Sequence, residues 1–329
     1  MIYRYTKIIV TLILISGQIN PVSASTRSVD REKMQGFIDE MTREHKFEKD
    51  ELENILKDAK IHQSILDAIA RPAESKPWYK YKRIFLNPAR ITGGVKFWNE
   101  HALILKKASQ KYGVPPEIIV AIIGVETRYG RHKGSFPVID SLATLAFAYP
   151  PRSAFFRSEL KQFLLMTREE KIDPRKQMGS YAGAMGMPQF ISSSFRNYAV
   201  DFDNDGYRDL WDTPADAIGS VANYFKRHGW KKGEPVVARV KTRGKKYKRL
   251  LSRELKPANS YTRLKKHGIQ FDKTYPAKLQ GTLLELDSGT RQPEYWVGWE
   301  NFYVISRYNH SAHYSMAVYH LSQEIRQKR

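Results

Sequence analysis

The sequence predicts a mainly α-helical chain of the α+β class, with a small β-containing insert in its last third. Three observations predict it. Apolar residues recur at helical spacing from residue 29 to about residue 230 and again from Tyr314 to Gln327. Between Pro235 and Ile305 they fall instead in short runs bounded by Gly, Pro and Asp, which is strand texture. A chain of 329 residues with 41% hydrophobic content can also fill two or three cores.

Taken in order, the chain opens with Arg4 and Lys7 before the apolar run Ile8 to Ile15, followed by the small residues Val22-Ser23-Ala24. Residues 1–24 therefore read as a secretory signal, the run being short for a membrane span. An uncleaved anchor is the alternative. Met34, Phe37, Ile38 and Met41 form one helical stripe, Leu52, Ile55 and Leu56 a second, and Ile65, Leu66 and Ile69 a third. The aromatic passage from Pro72 to Trp98 reads as a connector packed on the core. Helices are expected over Pro115–Gly130, Asp140–Tyr149 and Ser153–Glu170 and from near Ser192. In the insert, Val236, Val237 and Val240, Leu283, Leu284 and Leu286, Tyr295 to Trp299, and Phe302 to Ile305 are the expected strands.

Composition narrows the function classes. There is no cysteine, which excludes a disulfide, a thiolate metal site and a lipid-modified cysteine. The formal charge is +21, and residues 231–280 hold 16 Lys or Arg against 3 Asp or Glu. A surplus of that size implies a polyanionic partner. Export argues against nucleic acid, so an anionic cell-wall polymer or membrane surface is the expected partner, with a merely solvated basic face as the alternative.

Three stretches carry chemistry. In PPEIIVAIIGVETRYG, residues 115–130, two prolines start a helix and Gly130 ends it. Glu126 lies in the last turn on the stripe of Ile119, Ile122 and Ile123. Burial and the negative end of the helix dipole both raise a carboxyl pKa, which suits a general acid for a glycosidic oxygen. An ion pair with Arg128, Arg131 or Lys133 is the competing reading from this helix alone. The second stretch, SYAGAMGMPQF at 180–190, has three glycines and two alanines, so something approaches its backbone closely, and Gln189 can both donate and accept. The third, DFDNDGYRDLWD at 201–212, has calcium-loop spacing: Asp201, Asp203 and Asp205 at positions 1, 3 and 5, Gly206 at 6, the Tyr207 carbonyl at 7, Asp209 at 9 and Asp212 at 12. Position 12 departs from the usual Glu. Thr213-Pro214-Ala215-Asp216 then reads as the capped start of a helix.

With GVETRYGRHKG, SYAGAMGMPQF, the calcium-type loop, DAIGSVANYFKRHGW and NFYVISRYNHSAHY in this order, the chain resembles the membrane-bound lytic murein transglycosylase B family of peptidoglycan enzymes, from about Phe37 to Leu321. The resemblance implies a lysozyme-like helical core (91–230 and 300–329), an N-terminal helical domain (25–90), an inserted basic β domain (231–299) and an EF-hand-like loop (201–212). It implies cleavage of the β-1,4 bond between N-acetylmuramic acid and N-acetylglucosamine, with the muramyl 6-hydroxyl closing on C1 to leave a 1,6-anhydro end. Glu126 would act as acid and then as base. Ser180, Gln189, Phe190, Tyr224, Tyr308, Asn309 and Tyr314 would line the sugar cleft. Asp201, Asp203, Asp205, Tyr207 and Asp212 would hold a structural Ca2+, with no catalytic cofactor.

The expected partners are peptidoglycan strands and other cell-wall enzymes, with no nucleic acid, for a monomer. Lipoprotein members of the family carry a cysteine after the signal, so its absence points to a soluble periplasmic form with possible wall or outer-membrane association through the basic surface. Two other readings stay open: a hydrolysing muramidase in which Asp140 or Asp173 activates water, and a non-catalytic, calcium-stabilised wall-binding scaffold.

Overall fold

The computed structural model describes residues 30–70 and 76–329. The expected signal segment lies outside the described residues. Helix α1 (Arg31–His45) starts where the Asp30 carboxylate accepts from the Lys33 N–H at 3.1 Å, and it buries Phe37, Ile38 and Met41. Helices α2 (Lys49–Asp58) and α3 (Gln63–Ile69) follow; α2 buries Leu52, Ile55 and Leu56 as its spacing predicts, and α3 buries Ile65 and Leu66 while Ile69 stays half-buried.

The passage expected to be a connector is two helices, α4 (Trp78–Phe85) and α5 (Pro88–Glu100). The start signal for α5 is Asn87-Pro88: the Asn87 side chain accepts from the Arg90 N–H at 3.1 Å, and proline occupies the first turn. The expected boundary between residues 90 and 91 therefore falls inside a helix.

Helices α6 (Ala102–Tyr112) and α7 (Pro116–Thr127) come next. The latter ends three residues before Gly130, because Arg128 and Tyr129 already take positive φ, 50° and 63°. Every residue of α7 from Ile118 to Val125 is buried, so the helix is apolar all round rather than along one stripe. It lies at the centre of the molecule, packed on α5, α6, α11 (Pro214–Arg227) and α14 (Ala312–Lys328).

Helices α8 (Val138–Ala148), α9 (Ser153–Glu169) and α10 (Ser192–Tyr198) complete this layer. The region is not purely helical: strands β1 (Phe136–Pro137) and β2 (Met178–Gly179) pair antiparallel. One apolar cluster runs without a break from Phe37, Met41 and Leu52 in the first helices through α7 to Ile325.

The C-terminal third holds an antiparallel sheet of order β4-β6-β7-β3-β5, formed by β3 (Val237–Thr242), β4 (Asn259–Ser260), β5 (Ile269–Phe271), β6 (Gln280–Leu286) and β7 (Glu294–Gly298). Helix α12 (Tyr261–Lys266) lies between β4 and β5. Both faces are covered, which explains the near-continuous apolar runs. Leu283 and Val297 pack with Tyr247, Leu264 and Trp299 on one face, while Leu284, Leu286 and Trp296 pack with Trp78, Phe302 and Met316 on the other. Phe302 to Ile305, expected as a strand, belongs to helix α13 (Glu300–Ser306). A short run buried all round has no period with which to separate the two states.

Candidate active site

Glu126 is half-buried at the C-terminal end of α7, and its Oε1 accepts a 2.5 Å hydrogen bond from the Tyr314 hydroxyl on α14. The Tyr314 hydroxyl is held well above its ordinary pKa by burial and then by the Glu126 charge, so it remains a donor across any working pH. Tyr308 stacks parallel to Tyr314 with ring centres 6.5 Å apart. Burial and the Glu126 charge raise Tyr308 likewise.

Three residues that the sequence reading did not single out set the position of Glu126. Arg90 on α5 is buried, and its Nη1 donates to the carbonyls of Gly124 and Val125, at 2.5 and 3.1 Å. The Val125 carbonyl is one that the helix end leaves unpaired, while Gly124 also accepts from the Arg128 N–H at 3.2 Å. Thr127, also buried, donates to the Met187 carbonyl at 2.8 Å and accepts from the Gly130 N–H at 3.0 Å, which ties the helix end to the glycine-rich loop. Tyr129 donates to the Arg90 carbonyl at 2.7 Å, and its ring occupies the space that a Cβ on Gly93, Gly94 or Gly124 would need, at 2.6 to 2.9 Å. Those glycines inside helices were the signal available for this contact.

The glycine-rich stretch forms a tight hairpin. Met185 and Phe190 exchange backbone hydrogen bonds at 2.8 and 3.0 Å, and Gln189 sits in the turn at φ 51°. A Cβ at Gly186 would meet the Leu210 carbonyl oxygen at 2.4 Å, with φ at +69°. The Gln189 amide nitrogen donates to the carbonyls of Lys133 and Gly186, at 3.1 and 3.0 Å, so its donor is spent inside the protein. Ser180 is half-buried, and its hydroxyl accepts from the Ala182 and Ala184 N–H groups, at 3.3 and 3.0 Å.

The aromatic residues expected to line a sugar cleft pack largely against the protein itself. Phe190 and Tyr224 are buried, and the Tyr224 hydroxyl donates to the Arg307 carbonyl at 2.6 Å. Tyr308 is half-buried and donates to the Pro188 carbonyl at 2.5 Å, which carries α13 onto the hairpin. Phe190, Tyr224 and Tyr308 pack ring to ring at 4.8 to 5.9 Å. Asn309 is half-buried beside them in the chain. Of the four aromatic residues expected in the cleft, Tyr314 is the one bonded to Glu126.

In the acidic loop, oxygens of Asp201, Asp203 and Asp205 lie within 4.8 Å of one another. That spread fits oxygens around one Ca2+ at its usual bond length of about 2.3–2.6 Å. Asp201 also accepts from the Gly206 N–H at 2.9 Å, which closes the turn. The carboxylate of Asp212, the residue expected at position 12, pairs with the Lys133 ammonium at 2.7 Å. Asp209 is likewise turned inward, accepting from the Trp211 and Asp212 N–H groups. Thr213 begins α11 without a side-chain cap. Asp216 reaches instead across the loop to the Phe202 and Asp209 N–H groups, at 2.7 and 2.8 Å. Burial pushes Asp216 up to about 6, and the charges of Asp203 and Asp201 push the same way, a strain that a cation would relieve.

The far end of this loop touches the hairpin directly. The Met187 N–H donates to the Leu210 carbonyl at 2.7 Å, and Lys133 donates to the Trp211 carbonyl at 2.8 Å. A second acidic group, Glu40 with Glu44 and His45, is no comparable site, since Glu40 is paired with Arg157 and Lys161.

A half-buried carboxylate at the end of a buried helix, beside a glycine-rich hairpin in a mainly helical fold, is the arrangement of a lysozyme-like enzyme of glycan chains. The comparisons with known proteins specify it further. The family model described as "Transglycosylase SLT domain" matches residues 30–323. Membrane-bound lytic murein transglycosylase B of Escherichia coli is 44% identical over 322 residues, covering 95% of this chain and 88% of that one. The structure of soluble lytic transglycosylase SltB1 from Pseudomonas aeruginosa superposes with a TM-score of 0.86 at 50% identity, over 90% of this chain and 99% of that one. The E. coli lytic transglycosylase Slt35, solved in complex with calcium, gives 0.83 at 46% identity, over 90% and 93%. The chain belongs to the transglycosylase SLT-domain family and is a lytic transglycosylase of peptidoglycan.

Proposed function

We propose that Glu126 cleaves the β-1,4 bond between N-acetylmuramic acid and N-acetylglucosamine, first as general acid to the leaving oxygen and then as base to the muramyl 6-hydroxyl, leaving a 1,6-anhydro end. The observation that carries this reading is the 2.5 Å bond from Tyr314 to Glu126 Oε1, which orients the carboxyl at the end of α7. The cleft walls would come from the Ser180–Phe190 hairpin and the Tyr308–Tyr314 segment. The Gln189 amide oxygen, whose partner nitrogen is already tied down, would accept from a sugar hydroxyl or amide.

A water-activating second carboxylate is disfavoured by where the two candidates are engaged. Asp140 is buried, bonded to the Lys60 N–H at 3.1 Å and to the His62 ring at 2.9 Å. Asp173 accepts from the Arg175 N–H at 2.9 Å and pairs with Lys176 at 3.9 Å. Mass spectrometry of soluble products from purified peptidoglycan tests the reading. Anhydro ends are expected, and reducing muramic acid ends would replace it with a hydrolase.

Asp201, Asp203, Asp205 and the Tyr207 carbonyl would hold a Ca2+ whose role is to stiffen the loop that supports the hairpin through Leu210. Excess chelator is then expected to lower the Tm more than it slows cleavage, and an unchanged Tm would count against a bound ion. The chain would work as a monomer in the periplasm after loss of residues 1–24, alongside other cell-wall enzymes. Its organisation would be an N-terminal helical part, a lysozyme-like core and a basic insert over 231–299.

All 16 basic residues of 231–280 are exposed, and among the described residues none is in an ion pair. This supports association of the insert with an anionic wall or outer-membrane surface. Co-sedimentation with that surface is expected to fall steeply between roughly 0.05 and 0.5 M salt, as screening shortens. Salt-independent pelleting would argue against it.

A further inference from the structure

The five-stranded sheet separates two layers of unlike chemistry. On one face, Leu284, Leu286 and Trp296 meet Trp78 of α4, Phe302 of α13 and Met316 of α14, the helix whose Tyr314 holds Glu126. On the other, Ile269, Leu283 and Val297 are covered by Tyr247 and Leu250 of a short 3-10 helix (Lys246–Leu250) and by Tyr261 and Leu264 of α12. The catalytic helices and this covering layer therefore lie on opposite sides of the sheet. In KKYKRL (245–250) and YTRLKK (261–266), the four residues that face the sheet are buried. The basic residues between them, Lys245, Lys246, Lys248, Arg249, Arg263, Lys265 and Lys266, are all exposed, and neither stretch contains an acid. None of the seven is in an ion pair among the described residues.

The rest of the layer's composition narrows what it can bind. A sugar chain is held by exposed aromatic faces and by amide groups. Neither stretch contains Asn or Gln, and its two tyrosines are spent on the core beneath. Among the described residues, the exposed large apolar side chains are Ile84, Leu103, Met178, Tyr181 and Tyr207, all outside the insert, so no apolar wedge stands ready to enter a bilayer interior either. What remains is charge alone on an outward face. That suits a plane of phosphate headgroups, to which each nearby Lys or Arg adds about fivefold in affinity.

We propose that this outer layer docks the protein, reversibly and by charge alone, on the headgroups of an anionic phospholipid leaflet, with the sheet standing between the membrane and the catalytic helices. The proposal rests on the reading of the insert as the part that binds an anionic surface, and it names the face and the surface. Packed layers lie about 10 Å apart, so the catalytic helices begin about 20 Å from the headgroups, beyond the Debye length of about 8 Å at physiological salt. Glu126 therefore keeps its proton affinity whether the protein is docked or free.

The test uses the full chain with vesicles of mixed phosphatidylglycerol and phosphatidylcholine, vesicles of phosphatidylcholine alone, and lipid-free peptidoglycan. Two quadruple variants carry the same change of charge at exposed positions: Lys246→Gln/Lys248→Gln/Lys265→Gln/Lys266→Gln in the layer, and Lys57→Gln/Lys106→Gln/Lys107→Gln/Lys328→Gln elsewhere. The wild type is expected to sediment with the mixed vesicles and not with phosphatidylcholine. The layer variant is expected to lose at least about a hundredfold in vesicle affinity, and the other variant less than about tenfold. No vesicle binding by the wild type, or equal losses in the two variants, overturns the proposal. Binding to peptidoglycan alone, through the same four lysines, also overturns it and gives the layer to wall polymer, with the broader surface reading intact. A second readout checks the orientation. Vesicle-bound wild type is expected to cleave soluble glycan strands with the kcat of the free protein, and a fall of more than about tenfold on docking overturns the placement of the sheet between leaflet and cleft. Vesicle binding that persists while no glycan is cleaved, docked or free, would remove the cleavage reading and leave the docking face standing.

Discussion

The Glu126→Gln variant is expected to lose about 10²- to 10⁴-fold in glycan cleavage, the usual worth of a positioned acid-base group, while melting close to the wild-type temperature. The amide is nearly isosteric with the carboxyl and its oxygen can still accept from Tyr314, so the hydrogen bond at the end of α7 survives. What it lacks is a transferable proton and the ability to take one back. Rates on purified peptidoglycan, read as anhydro ends per enzyme, check the loss, and a melting curve checks the fold. A Gln variant that still cleaves at more than a tenth of the wild-type rate would sink the assignment.

The second large effect is expected at Arg90. Replacing it with Met keeps much of the apolar stem but leaves the Val125 carbonyl buried without a donor, while Gly124 keeps only the Arg128 N–H at 3.2 Å. An orphaned buried carbonyl costs about 1–3 kcal/mol, so a loss on the order of 2 kcal/mol is expected in chemical denaturation. Cleavage should fall with it even well below the melting temperature, because the residue after those carbonyls is Glu126. The converse change, loss of a guanidinium, carries a small compensation: burial and the nearby Arg128 charge already disfavour the cation there, with Tyr129 and Glu126 opposing them. A variant as stable and as active as the wild type would show that water satisfies the carbonyls instead.

Much of the frame could be read from the sequence because its signals are local. Pro115 and Pro116 open α7, the 201–212 spacing brings three carboxylates together, and the stripes of α1 to α3 are buried as spaced except at Met34 and Ile69, which are half-buried. What could not be read around the site shares a cause, which is that a partner came from elsewhere in the chain. Arg90 is unremarkable in its own context, and its bonds lie 34 and 35 residues away. Asp212 fits position 12 of a calcium loop by count, and its pairing with Lys133, 79 positions away, could not be read from the loop. The tyrosines of the cleft region could be listed but not oriented. Their hydroxyls end on the carbonyls of Pro188 and Arg307, and in the case of Tyr314 on Glu126. Phe302 to Ile305 failed for the opposite reason, since burial on all sides erases the period that would have marked it as helix.

The unbroken apolar cluster from Phe37 to Ile325 has a consequence for anyone who would trim this enzyme to a minimal catalyst. Cutting the chain at residue 91 would strip Phe37, Met41, Leu52 and Ile65 from the surface they cover, all at 0% exposure in the intact molecule. The remnant would present a greasy scar next to α8, and scars of that kind make proteins self-associate. It would also lose the backbone and ring contacts from Lys60 and His62 that now hold Asp140. A shortened form would therefore need its own replacement lid, designed onto α8, before it could stay dispersed in solution as the parent does.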